Sequence, residues 1–274
     1  MNIAHSPTRL KAAATYDAAA DHFDAAPLAF WDRHGRQAVN LLDLRPGARV
    51  LDVGCGTGAS ALPAAAAVGP DGQVAGIDVS ENMLMRARAK AMARGLDNVT
   101  FDVADMTASG LPDERFDAVI SVFSVFFVPD MERQITELIR MLRPGGRLAV
   151  TVWGPRAFEP GASVFGEEVR RVRPDMPVQV RPWERLTDPR NLRRLLLDGG
   201  ASEPAIQAVS DRQPLTGVAD WWTIAMGSGY RWEIDQLTAD EQQTVRERSV
   251  QRLSDMCIRA IETSAIHAVA RRAD

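Results

Sequence analysis

The chain has 274 residues, of which 46% are hydrophobic and 25% charged, and its formal net charge at pH 7 is −4. That is the composition of a globular chain able to bury a full core. The acidic balance argues against a phosphate-tracking surface for nucleic acid or anionic membrane, and no apolar run reaches the length of a membrane span.

Lys11 and Lys90 are the two lysines among 32 basic residues. The arginines are spread along the chain and offset by acids, which is the pattern of compositional bias rather than of an anion site. The two cysteines, Cys55 and Cys257, show neither metal-ligand spacing nor a disulfide framework. With no secretory apolar stretch at the N-terminus, a reducing cytoplasm is the expected compartment, without a metal.

In chain order, residues 1–44 are Ala-rich with aromatics at Tyr16, Phe23, Phe30 and Trp31 and predict one or two helices. From 45 to 153 strand and helix alternate. Strands are expected at Val50 to Val53, Gln73 to Ile77, Val99 to Phe101, Phe116 to Ser121 and Arg147 to Val152. Helices are expected at Ser60 to Val68, at Glu81 to Arg94 with Ser80 as N-cap and Gly95 as stop, and at Met131 to Leu142 before Pro144-Gly145-Gly146. Strand and helix alternating at this spacing predict a doubly wound, mostly parallel sheet.

Beyond Trp153 the pattern weakens. Pro155 to Pro182 looks irregular, a helix follows from Pro189 to Leu197, and Ala205 to Ser210 suits a sixth strand. Asp220-Trp221-Trp222 opens another amphipathic piece, Ala239 to Ile261 reads as a long helix, and Ala265 to Ala270 suits a final edge strand. The expected organisation is one α/β domain with a seven-stranded sheet: an N-terminal helical cap (1–44), a core (45–153), and a lid with C-terminal strands (154–274).

The segment VLDVGCGTG, Val50 to Gly58, places three glycines after an apolar strand. Gly54-x-Gly56-x-x-Ala59 is a loose dinucleotide fingerprint, and Asp78 ends the next strand where a ribose-binding acid belongs. Asp52 separates the possibilities. A carboxylate beside a pyrophosphate repels it, whereas beside an ammonium or sulfonium group it attracts. The loop is therefore expected to take a cation-bearing nucleoside, and S-adenosylmethionine fits that description.

VLDVGCGTG followed by GIDVS and DVADM resembles the class I S-adenosylmethionine-dependent methyltransferases, in the style of the ubiquinone/menaquinone-biosynthesis-type small-molecule group. LPDERFDAVIS, PDMERQITELIRMLRPGGRLAV, LTDPRNLRRLLLDGG and VADWWTIA extend the likeness, strongly over 45–153 and loosely on either side. The resemblance implies a Rossmann-like methyltransferase fold. It implies that Gly54, Cys55, Gly56 and Gly58 let the backbone approach the methionine part of the cofactor, with Asp52 near its ammonium. Asp78 would accept from the ribose hydroxyls, Val79 and Met106 would flank the adenine, and Asp105 would accept from its amine. The Ser121 carbonyl and Tyr16 would meet the ammonium and carboxylate.

In one respect the chain departs from the pattern. Many relatives of this type carry a histidine pair after the fourth strand, where SVFSVFFVPD has Phe126 and Phe127. A phenylalanine cannot act as a general base. His22 and His34 are the alternative candidates, while His267 in the last strand suits packing. A sulfonium methyl is already activated, so proximity and dryness can suffice, with Phe126, Phe127, Trp153, Trp221 and Trp222 as pocket walls. The implied activity is methyl transfer by in-line displacement to a small apolar or aromatic acceptor; a homodimer is compatible with it. A cofactor-binding scaffold or non-methylating catalyst is the rival, followed by a nucleic-acid methyltransferase, which lacks its Asn/Asp-Pro-Pro-aromatic motif here.

Overall fold

The computed structural model describes residues 7–177 and 181–272. Short apolar runs form the parallel centre of the sheet: β1 (Arg49–Val53), β2 (Gln73–Asp78), β3 (Val99–Val103), β4 (Phe116–Val122) and β5 (Leu142–Trp153). Leu51 pairs with Ala75 on one side and Val119 on the other. The pleat sends Val50 and Leu51 into different apolar clusters, one on each face of the sheet. Burial on both faces is why β1 reads as a continuous apolar run rather than an alternating one.

The crossover helices are α3 (Ala61–Val68), α4 (Glu81–Ala93) and α5 (Met131–Met141), and the last two start where a side chain satisfies a free backbone N–H. Ser80 Oγ accepts from the Met83 N–H at 3.2 Å, and Asp130 Oδ1 from the Arg133 N–H at 2.9 Å. Ahead of the core lie α1 (Pro7–Phe23) and α2 (Phe30–Leu42). In α2 the buried residues Phe30, Trp31, His34, Gly35, Ala38, Val39 and Leu42 form one stripe of helical period.

The C-terminal part contains α6 (Gly161–Val172), α7 (Pro189–Asp198), β6 (Ala205–Val209), β7 (Arg212–Pro214), α8 (Asp220–Met226), α9 (Arg231–Ile234), α10 (Ala239–Asp255), β8 (Ala260–Glu262) and β9 (Ala265–Arg271). The seven-stranded sheet runs β3-β2-β1-β4-β5-β9-β6, and β7 pairs with β8 apart from it. This is the expected doubly wound, mostly parallel architecture. No helix among the described residues is long and apolar enough to cross a membrane.

Three expectations need correction. The last strand is not an edge: β9 runs antiparallel between β5 and β6, and its buried Ala265, Ile266, Ala268 and Ala270 need cover on both sides. The long helix ends at Asp255, and Ile261 belongs to β8; Cys257 at φ 53 turns the chain between them. The stretch 155–182 holds a full helix, α6, because Ala162, Phe165 and Val169 recur on one buried face. Residues 178–180 of that stretch, and 1–6 of the expected cap, lie outside the described residues.

Candidate functional site

The glycine turn follows β1, and its backbone is pinned to the next strand. Gly54 and Cys55 N–H both donate to the Ile77 carbonyl, at 2.8 and 3.1 Å. Gly54 has φ +69, and a Cβ there would come within 2.4 Å of the Ser124 Cβ. Only glycine lets this turn and the end of β4 come so close. A second close approach supports it from below: a Cβ on Gly35 of α2 would lie 2.3 Å from the Ala59 carbonyl oxygen.

Asp78 closes the turn. Its Oδ2 accepts from the Gly56 N–H at 2.8 Å and its Oδ1 from the Ser80 N–H at 3.0 Å. Burial pushes its carboxyl above the usual range, while those N–H bonds pull it back. Each oxygen keeps acceptor capacity for a further donor.

These residues open onto a cavity of about 510 Å³, a size suited to a small-molecule site. Of the residues singled out in the sequence, Tyr16, Gly54, Cys55, Gly56, Asp78, Val79, Asp105 and Met106 line it, as do Phe126, Phe127 and Trp153. Phe126 and Phe127 stand on a 3₁₀ turn after β4, with Phe127 edge-on to Tyr16.

Other residues fall elsewhere. Asp52 is fully buried behind the loop, with Ser60 between it and the cavity. Its Oδ2 accepts from the Ser60 hydroxyl at 2.7 Å, and its Oδ1 has no protein partner. Burial, with a smaller push from Asp78, raises its carboxyl to about 7, against the pull of the Ser60 hydrogen bond. Asp52, expected near the ammonium through water, is thus a buried acid whose one side-chain partner, Ser60, lines the cavity in its place. Gly58 packs on Leu62, and the Ser121 hydroxyl bonds that of Ser124 at 2.7 Å; neither lines the cavity.

The two adjacent tryptophans are also displaced from the wall. Trp221 lies fully buried against Gly161 and Phe165, and Trp222 packs on Phe165. Both complete the α6–α8 packing. His22 lies outside the cavity wall, and His34 is buried behind it. The ring nitrogens of His34 meet His267 Nε2 at 3.4 Å and the Thr263 carbonyl at 2.8 Å. His267 Nδ1 meets Thr151 Oγ1 at 2.9 Å. Burial lowers both imidazoles, His267 to about 4, so both are neutral at pH 7.

The sequence reading missed much of the aromatic wall. Phe23 and Trp31 stack with centroids 4.9 Å apart, and Phe123 stacks on Trp153 at 3.8 Å. Phe158, Trp183 and Tyr230 complete it. Phe123 and Phe158 have φ of 53° and 67°, strained values for bulky side chains that collect at functional sites. The clustering of aromatics at Phe23, Phe30 and Trp31 was a usable signal; nothing local marks Phe158 or Tyr230.

The cap helix α1 supplies Ala12, Tyr16 and Phe23 to the wall and is strapped to α4 by acids one turn apart. Asp17 Oδ1 accepts from Ser80 Oγ at 2.6 Å, and Asp21 pairs with Arg86 at 2.6 Å. Beyond the helix end Asp24 pairs with Lys90 at 2.8 Å and accepts from the glycine-loop hydroxyl of Thr57 at 2.7 Å.

Residues 50–146 match the family model of the methyltransferase domain. The chain is 39% identical over 136 residues to nocamycin O-methyltransferase of Saccharothrix syringae, covering 50% of this chain and 49% of that protein. It is 37% identical over 137 residues to demethylmenaquinone methyltransferase of Symbiobacterium thermophilum, covering 48% and 55%. The chain thus spans about half the length of the curated relatives it matches. The solved structure of the YcgJ protein from Bacillus subtilis superposes with a TM-score of 0.60 over 88% of this chain and 99% of that one, at 19% identity, and shares the fold.

Proposed function

We propose that this chain, which carries a methyltransferase domain over residues 50–146, moves a methyl group from S-adenosylmethionine to a small apolar or aromatic acceptor. The observation that carries this reading is one cavity lined both by the glycine turn with Asp78 and by stacked aromatic rings. We take the described helices ahead of residue 45 as a cap and the described segments beyond residue 153 as the lid over the 45–153 core.

The lining fits that cofactor better than a dinucleotide. Asp78, Asp105, Asp130 and Glu137 line the cavity, against Arg133 alone among the described cations. Such a wall repels a pyrophosphate and tolerates a cation. Gly54 and Gly56 would admit the methionine part, Asp78 the ribose hydroxyls, and Val79 with Met106 the adenine faces. Tyr16 would close over the carboxylate, and Ser60 would relay the buried Asp52 to the ammonium. When bound, the cofactor supplies a methyl group on a sulfonium that is a good leaving group.

The chain's own residues contribute position and dryness. The rings of Phe123, Trp153 and Phe158 would hold the acceptor in line, and α1 with the aromatic wall would exclude water. Holding two reactants in attacking geometry lowers a barrier by roughly 7–11 kcal/mol in favourable cases. The test is calorimetric titration with S-adenosylhomocysteine, then labelled methyl transfer to a panel of phenols, quinones and amines. No binding of S-adenosylhomocysteine would end this reading.

A further inference from the structure

Behind the aromatic wall lies a buried polar chain that none of the roles assigned above uses. Thr151 of β5 faces His267 of β9 directly across the strand pair, and Thr151 and Trp153 point to the same side of the sheet. His34 of α2 meets the wall edge-on, its ring centroid 5.4 Å from that of Phe123 and 6.3 Å from that of Trp153. Thr151, His34, Thr263 and His267 are each at most 3% exposed. Three contacts join them: Thr151 Oγ1 to His267 Nδ1 at 2.9 Å, His267 Nε2 to His34 Nδ1 at 3.4 Å, and His34 Nε2 to the Thr263 carbonyl at 2.8 Å. The chain stands whatever ligand the cavity takes.

The last contact fixes the order of the rest. A carbonyl oxygen only accepts, so Nε2 of His34 carries a hydrogen and, in the neutral ring, Nδ1 does not. His267 then donates through Nε2, which leaves its Nδ1 to accept from the Thr151 hydroxyl. All three links are satisfied in one direction, from β5 to the turn after β8. An added proton reverses them. With both nitrogens of His34 donating, His267 Nε2 has to accept, its hydrogen moves to Nδ1, and the Thr151 hydroxyl becomes the acceptor. The hydrogen of that hydroxyl then has no acceptor among the described residues. A second proton is barred, because two imidazolium N–H groups would face each other at 3.4 Å.

We propose that His34 and His267 form a one-proton acid latch on the aromatic wall: the pair takes up a single proton as pH falls, the proton rests on His34, and the reversed chain loosens its hold behind Phe123 and Trp153. The groups around His34 decide where the proton rests. Asp211, in the turn between β6 and β7, holds Oδ2 3.5 Å from His34 Nε2 and attracts the charge. Arg33 of α2, paired with Asp211 at 2.8 Å, opposes it. Thr151, Thr263, Phe123 and Trp153 face the pair without charge, and no carboxylate acts on His267, whose one charged neighbour would be His34. A buried charge and an orphan hydroxyl both press the acid form to part at its longest link, the one between the rings. Burial lowers both imidazoles from 6.5, His267 to about 4. The unfolded chain therefore binds these protons more readily, so the stability the pair contributes is whole above 6.5 and is lost as pH falls towards about 4.

The test is nitrogen-15 NMR of the imidazole rings in the full chain, followed from pH 8 to pH 4. At pH 8 both rings should carry hydrogen on Nε2 and a bare Nδ1. On acidification His34 Nδ1 should gain a proton while His267 exchanges its hydrogen from Nε2 to Nδ1, in one shared step, and the Trp153 indole N–H resonance should move with it. Asp211→Asn, at a partly exposed site, should shift that step to lower pH by about one unit, since the attracting carboxylate is gone. Thr151→Val should shift it to higher pH by about half a unit to one unit, because it removes a hydrogen bond of the neutral chain and the orphan hydroxyl of the acid one. A cluster that only packs gives no such opposite displacements. The wild-type titration decides even where a variant fails to fold. Two separate protonation steps, a His267 that keeps its Nε2 hydrogen, a Trp153 resonance indifferent to the step, acid unfolding with both rings still neutral, or a shift of both variants in one direction would each overturn the proposal.

Discussion

Replacing Asp52 with asparagine tests the electrostatics of the glycine turn directly. The wild-type carboxyl lies at about 7 in the folded protein, against an ordinary value of 3.8. At about 1.36 kcal/mol per pH unit, that difference is worth about 4 kcal/mol. The sign follows from which state holds the proton. Between pH 4 and 7 the unfolded chain releases it while the folded chain keeps it, so stability is whole below the unfolded value and is lost as pH rises to about 7. Asparagine can still accept from the Ser60 hydroxyl but does not titrate. Urea unfolding from pH 4 to pH 8 should therefore show the variant gaining about 4 kcal/mol on the wild type, with unchanged slope against denaturant. The ammonium group of S-adenosylhomocysteine favours the carboxylate form, so wild-type affinity for it should climb with pH up to about 7, while the variant stays flat. Parallel stability curves for the two proteins would refute the reasoning.

Asp78→Ala should weaken S-adenosylhomocysteine binding by more than tenfold in calorimetry, since it removes two charge-assisted hydrogen bonds of about 1.5–3 kcal/mol each; unchanged affinity in the folded variant would contradict its role. Phe123→Ala should lower kcat/KM for the acceptor by about tenfold, the scale of lost apolar contact in a pocket, with little change in cofactor affinity. Trp222→Ala should move neither quantity, because its ring packs on Phe165 away from the wall. Arg86→Gln combined with Lys90→Gln should loosen α1 from α4, which hydrogen exchange in residues 10–23 would report as faster exchange. Because the Arg86–Asp21 pair is exposed, each contact is worth only about 0.2–1 kcal/mol.

The glycine turn and its flanking acid were legible in the sequence because their determinants are local. A glycine that must take φ +69, an acid that ends a strand and caps its own turn, and a serine that starts α4 all act within a few residues of themselves. Such features leave a spacing that can be read. The depth of Asp52 did not, although the strand around it did. A carboxylate in an apolar run can face a ligand or the protein interior, and what distinguishes these here is the hydroxyl of Ser60, delivered by the start of the next helix.

The aromatic wall followed another logic. Its rings come from α1, α2, the turn after β4, the end of β5 and the segments around Phe158, Trp183 and Tyr230. No spacing rule links these positions, because the wall exists only once the segments before and after the central strands have packed on the sheet. Trp221 and Tyr230 show how little composition decides: both are buried aromatics nine residues apart with ring centroids at 5.6 Å, yet only Tyr230 reaches the cavity. Gly161 accounts for the difference, since the indole of Trp221 fills the space its missing side chain leaves. In this fold the glycine turn is written in local backbone requirements and the aromatic wall in long-range packing. Substitutions at wall residues outside the 45–153 segment, such as Phe158 or Tyr230, are therefore expected to change acceptor use while leaving the glycine turn intact.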